Sequence, residues 1–186
     1  MTRLELIAQN TARAIFTTSD KGAVILHNYH SQRSYEEEVL RNYIYLKAFL
    51  AEVKLHSFFE NPKEYKQVIE LVHQQLKKAF SQMPKSLTYG CSTTGMAFAI
   101  QQYYKNVDMT DIMSVENAFY EQVNLPPQIR LNAYVGYNFL NVIQEASAFL
   151  DNAIIAGCQG QKTGGGCLST IACMVAIALG LMALVI

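Results

Sequence analysis

Four histidines and four cysteines are the side chains of this 186-residue sequence best suited to catalysis or metal binding near neutral pH. Gly90-Cys91-Ser92 would set one thiol on a loop. A thiolate there attacks a carbonyl carbon only if a folded-in histidine, His27, His30, His56 or His73, takes its proton. No spacing in the chain brings one near, and a lone loop cysteine is ordinarily inert. His27 and His30 stand three apart, yet a metal site needs sulfur or carboxylate ligands beside them and none follows at the right interval. The string GCQGQKTGGG at 157–166 has the glycines of a phosphate-binding loop. That loop requires glycine directly before lysine so that amides and ammonium converge on one phosphate. Here Gln161 separates Gly160 from Lys162, and no apolar strand precedes it. The residues therefore predict no catalytic site, no bound metal and no cofactor, with a cysteine-dependent enzyme as the third-ranked reading of function.

Charge suggests surfaces instead. Fifteen basic residues balance fifteen acidic ones, so no overall field favours nucleic acid. Lys63, Lys66, Lys77 and Lys78 gather on one predicted helix, whereas Asp108, Asp111, Glu116 and Glu121 make a later one acidic without an intervening base. Solvated faces are the plain reading. Opposite patches also suit docking to a partner, and lysines close to a bilayer are drawn to anionic headgroups.

The strongest single signal is at the C-terminus. Residues 167–186, CLSTIACMVAIALGLMALVI, run for twenty residues without a charge. As a helix rising about 1.5 Å per residue this covers about 30 Å, the thickness of a bilayer's hydrocarbon core. Leu168, Ile171, Val175, Ile177, Leu179, Leu181 and Leu184 supply most of the favourable transfer energy. Ala172, Ala176 and Gly180 recur every fourth residue, a face on which two spanning helices approach closely and pair as a homodimer. A tail anchor of this kind is expected to insert after synthesis and leave the preceding residues on the cytosolic side. Cys158 and Cys167 bracket the tether near the bilayer surface, where acylation of a thiol is chemically reasonable.

The elements that must position these groups read as helices throughout. Apolar residues fall at helical spacing over residues 3–17, while 23–26 suits a helical turn or a short strand equally. Ser34 with Glu37 makes a capping box for a helix reaching about Phe59, and Asn61-Pro62 starts the next, which Met83-Pro84 ends. Residues 85–93 read as a loop and 94–104 as a helix. Asp108 and Asp111 cap another that continues to Pro126-Pro127, and a last apolar helix runs from Gln128 to a stop at Gly157, near the bundle centre. The expected fold is all-α: a compact bundle of about six helices in residues 1–156, a Gly-rich tether at 157–166 and one transmembrane helix at 167–186.

A helical bundle with a C-terminal anchor resembles the Bcl-2 family in outline, although the Asn-Trp-Gly-Arg signature of that family is missing and the chain has no tryptophan. The outline is also similar to that of host-directed effectors of intracellular bacteria, whose Asn-, Gln- and Tyr-rich chains carry membrane tails. The function expected is a tail-anchored binding or adaptor module, not an enzyme, that recruits or blocks a protein partner at a membrane surface. The alternative is membrane remodelling or pore formation, with 138–156 and 168–186 as two arms of a hydrophobic hairpin.

Overall fold

Thr2 opens the first helix, α1 (Arg3–Phe16), through a capping box. Its hydroxyl accepts from the Glu5 amide at 3.2 Å, and the Glu5 carboxylate accepts from the Thr2 amide at 2.6 Å. The buried face of α1 is mostly small, with Ala8, Thr11, Ala12 and Ala14 between Ile7 and Ile15, so neighbouring helices approach its backbone. Asp20 accepts from the Ala23 amide at 3.0 Å and thereby starts α2 (Lys21–His30). The ambiguous stretch 23–26 lies inside this helix, with Ala23 and Leu26 buried on one side.

Three glutamates occupy the first turn of α3 (Glu36–Phe58), where the positive end of the helix dipole favours them. Asn61 caps α4 (Pro62–Gln82) by accepting from the Lys63 amide at 3.0 Å, and Pro62 takes a first-turn position where no amide donor is missed. A single turn, α5 (Lys85–Thr88), interrupts the expected loop at 85–93 and ends in left-handed Tyr89 and Gly90. The helix expected at 94–104 is present as α6 (Thr93–Ala99), continued by a wider π turn, Ile100–Tyr104. The Asp111 carboxylate accepts from the Met113 amide at 3.0 Å at the head of α7 (Ile112–Val123), and α8 (Phe139–Gln159) completes the order.

This computed structural model describes residues 1–30, 36–123 and 139–159. The capping box at Ser34, the Pro126-Pro127 break and the start of the last helix at Gln128 lie outside the described residues. So do the tether beyond Gln159, the anchor residues Leu168, Ile171, Val175, Ile177, Leu179, Leu181 and Leu184, and the pairing face Ala172, Ala176 and Gly180. Among the described residues every element is helical, and six of the helices have ten residues or more.

The middle of the bundle belongs to α3, not to the last helix. Residues 42–51 of α3 are all buried, so the helix is enclosed on every side. By contrast α8 buries Val142, Ala146, Leu150 and Ile154 but leaves Gln144, Ala148, Asn152 and Ala156 exposed on the opposite face. Around α3 stand α1, α2, α4, α6, α7 and α8, and α1 lies between α4 and α8. The α1 and α8 helices run antiparallel, since Gly157 at the end of α8 meets Ile7 near the start of α1.

That contact also corrects the helix boundary. Gly157 is no stop: α8 continues through Gln159, so residues 157–159 of the expected tether are helical. A Cβ on Gly157 would sit 2.6 Å from the Ile7 Cα, a clash with backbone that only glycine avoids. The Arg3 guanidinium lies 5.9 Å from the Phe59 ring centre, so the start of α1, the α3–α4 turn and the end of α8 share one pole. Lys54 donates to both carboxylate oxygens of Asp151 at 2.8 Å and ties α3 to α8.

Candidate binding groove

Between α3, α4 and α6 the surface opens into a groove of about 350 Å³. Glu52 of α3 forms one wall, His73, Gln74 and Lys77 of α4 the other, and Thr93, Met96, Ala97, Ile100 and Gln101 come from α6 and the π turn. Local sequence sets each wall. On α4 the buried stripe Val68, Val72 and Leu76 turns His73 and Lys77 outward, one turn apart. On α6, Ser92 caps by accepting from the Gly95 amide at 3.0 Å, and Gly95 lies so close to α3 that a Cβ would be 2.6 Å from the Tyr45 hydroxyl. This seats α6 hard against α3 and buries Met96 as the apolar floor.

The π turn shapes the far end. Such turns admit one extra residue per turn and are frequent at functional sites. Here the turn carries Tyr104 into the core, where it stacks on Phe49 at 4.8 Å and 11° between planes, and leaves Gln101 exposed at the groove. His73 Nε2 and a Glu52 carboxylate oxygen are 3.3 Å apart across the groove. Exposed Phe98, in edge contact with Tyr103, stands on the same short helix. An apolar floor with a cation, an anion and amides on its rim can fix a peptide segment by its side chains and orient it by its polar groups.

A second polar cluster lies wholly inside. Lys47, with no exposed surface, donates to the Asp20 carboxylate at 2.9 Å, to the Ala14 carbonyl at 2.9 Å and to the Thr17 carbonyl. The Tyr43 hydroxyl donates to the other Asp20 oxygen at 2.5 Å. Burial pulls the Lys47 ammonium below the usual lysine range, and the Asp20 charge opposes that shift. Burial, reinforced by Asp20, pushes the Tyr43 phenol well above the ordinary value. The cluster joins the end of α1, the cap of α2 and the middle of α3. Its groups face one another rather than a cavity, so it acts as a structural junction.

The remaining candidates fall apart spatially. The Cys91 thiol is buried, donates to the Arg41 carbonyl at 3.7 Å, and is pushed up to about 12 by burial, so it carries no thiolate at neutral pH. His27 pairs with Glu36 at 2.8 Å, His56 packs edge-on against Tyr65, His73 faces Glu52 and His30 is buried beside Tyr120. Among the described residues no three His, Cys, Asp or Glu side chains are grouped to hold a metal. Cys158 is buried at the end of α8.

Lys63, Lys66, Lys77 and Lys78 all lie exposed along α4, the first two at the pole beside Arg3 and the second two toward the other end, where Lys77 lines the groove. Asp108 is engaged locally, accepting from the Thr110 amide and hydroxyl at 2.8 and 2.7 Å, and Asp111 serves as a cap. Glu121 is exposed and Glu116 half-buried on α7. Of the groove's lining only His73 and Lys77 stand out in the sequence. The pairing of Glu52 with His73, 21 positions apart on different helices, leaves no local trace. No described helix is long and apolar enough to cross a membrane, α8 included. In comparisons with protein-family models, curated proteins and solved structures, the chain matches none.

Proposed function

We propose that this chain is a membrane-tethered helical binding module that holds a protein partner in the groove between α3, α4 and α6. The groove carries the reading: about 350 Å³, floored by Met96 and rimmed by Glu52, His73 and Lys77, it offers one partner helix or loop an apolar seat with charges of both signs beside it. The uncharged run 167–186 supports the tether, because twenty such residues suffice to span a bilayer. Adaptor chemistry of this kind needs position and shape, and no proton transfer.

The test pairs two changes in the full-length protein. Val175→Arg places a charge at mid-bilayer at a cost of about 2.5–3.5 kcal/mol and is expected to release the protein from carbonate-washed membranes. Ala97→Arg fills the groove from an exposed helical position and is expected to abolish partner cross-links formed by the parent chain, whereas Ser81→Arg, exposed and outside the groove, is expected to keep them. Unchanged membrane retention of Val175→Arg rejects the anchor. An unchanged cross-linked set with Ala97→Arg rejects the groove.

A further inference from the structure

We infer that the pole formed by the start of α1, the α3–α4 turn and the end of α8 faces the bilayer, and that the opposite end, where α3 starts and α4 finishes, stands clear of the headgroups. The inference rests on the reading of 167–186 as a membrane-spanning segment. Its occupant is a lipid headgroup surface.

The argument is one of reach. Gly157 is pressed against the Ile7 backbone and Cys158 is buried, so Gln159, the last described residue, is fixed at this pole. From Gln159 to Cys167 there are eight Cα steps in the sequence. At about 3.3–3.6 Å each they span at most about 26–29 Å, whatever conformation they take. The body is longer than that: the 23 residues of α3 alone extend about 35 Å. Placing the opposite end, where α3 starts and α4 finishes, against the membrane would require the tether to climb the full body, which it is too short to do.

Charge alone would not choose this pole. Arg3, Lys63 and Lys66 are offset there by Glu5, Glu60 and Glu64, so the tether and not an anionic lipid sets the orientation. Along α4 the groove residues His73 and Lys77 stand about 16 and 22 Å from Pro62, beyond a physiological Debye length of about 8 Å. Of the α4 lysines, Lys63 and Lys66 then lie nearest the lipid and Lys77 and Lys78 farther from it.

Because the chain contains no tryptophan, single Trp variants report position without interference. Ser57→Trp at the membrane pole and Ser86→Trp on α5 at the far end both fall on exposed side chains, with Glu60→Trp as the alternative should Ser57→Trp lose its helical circular dichroism. Full-length protein is reconstituted into phosphatidylcholine vesicles carrying a dansyl-headgroup lipid. Energy transfer is expected to be several-fold greater from Ser57→Trp than from Ser86→Trp. An insertion of about twenty Gly/Ser residues after Gln161 adds about 66–72 Å of reach and is expected to shrink the contrast. Failure to float with vesicles rejects the spanning segment and the orientation with it. Flotation with equal transfer, with greater transfer from Ser86→Trp, or with a contrast that survives the insertion rejects the orientation alone.

Discussion

Lys47 interrupts the most apolar stretch of α3, and its ammonium is stabilised there only by what it meets. Two carbonyls at the end of α1 and the Asp20 carboxylate surround it. Asp20→Asn leaves that charge buried without its counter-ion and is expected to cost about 3–5 kcal/mol. Adding Lys47→Met removes the stranded charge, so the double variant is expected to be more stable than Asp20→Asn alone. Urea unfolding of both decides it, and additive losses would deny the coupling. Cys91 gives a pH prediction. Its unfolded thiol titrates near 9.0 whereas the folded one holds its proton to about 12, so above pH 9 the native state binds more protons and stability falls as pH rises. The buried phenols of Tyr43 and Tyr104 add in the same sense above pH 10.0, and Lys47, depressed by burial, acts with the opposite sign. Comparison with Cys91→Ala isolates the thiol: its urea midpoint is expected to decline less steeply just above pH 9, and parallel declines would contradict the assignment.

At the scale of elements, α1 and α8 meet backbone against backbone at Gly157. Alanine favours a helix over glycine by about 1 kcal/mol, yet at Gly157 the added methyl meets the Ile7 backbone. Overpacking of that kind typically costs about 1–3 kcal/mol and wins, so Gly157→Ala is expected to destabilise the protein. Asn152→Ala, on the exposed face of the same helix, is expected to leave stability within about 0.5 kcal/mol. Chemical denaturation of the two variants measures the difference, and a stabilised Gly157→Ala would mean the helices part without strain. Gly157 lies in helical backbone without a positive φ, so backbone angle does not oppose alanine there and the expected loss comes from packing alone.

For the whole molecule, the small residues of 167–186 bear on assembly. Ala172, Ala176 and Gly180 line one side of the proposed spanning helix, and close backbone contact there needs small side chains. Gly180→Leu keeps the segment apolar, so insertion is expected to persist while self-association in the membrane falls. Leu181→Ile, off that face, is the control. Equal association of the two variants in an in-membrane reporter assay would make the anchor a monomer. Pairing would set two groove-bearing bodies side by side on one membrane, doubling the sites offered to a bivalent partner.

The sequence by itself determines the helical class, because caps and 3.6-residue periodicity are local: Asn61-Pro62 begins α4 and Asp111 begins α7 whatever surrounds them. It also determines that one stretch of twenty residues has the length and apolarity of a membrane span. It leaves 23–26 undecided between helix and strand, since four apolar residues fit either period until the Asp20 carboxylate is seen to cap α2. Only the tertiary structure decides that α3 is enclosed on every side, that Gly157 is a contact and not a stop, and that Glu52 and His73 face each other over a groove. The reason is physical. Periodicity tells which face of a helix is apolar, but the identity of the helix that meets it depends on contacts such as Lys47 with Ala14, 33 positions apart, and Lys54 with Asp151, 97 positions apart, which no local pattern encodes.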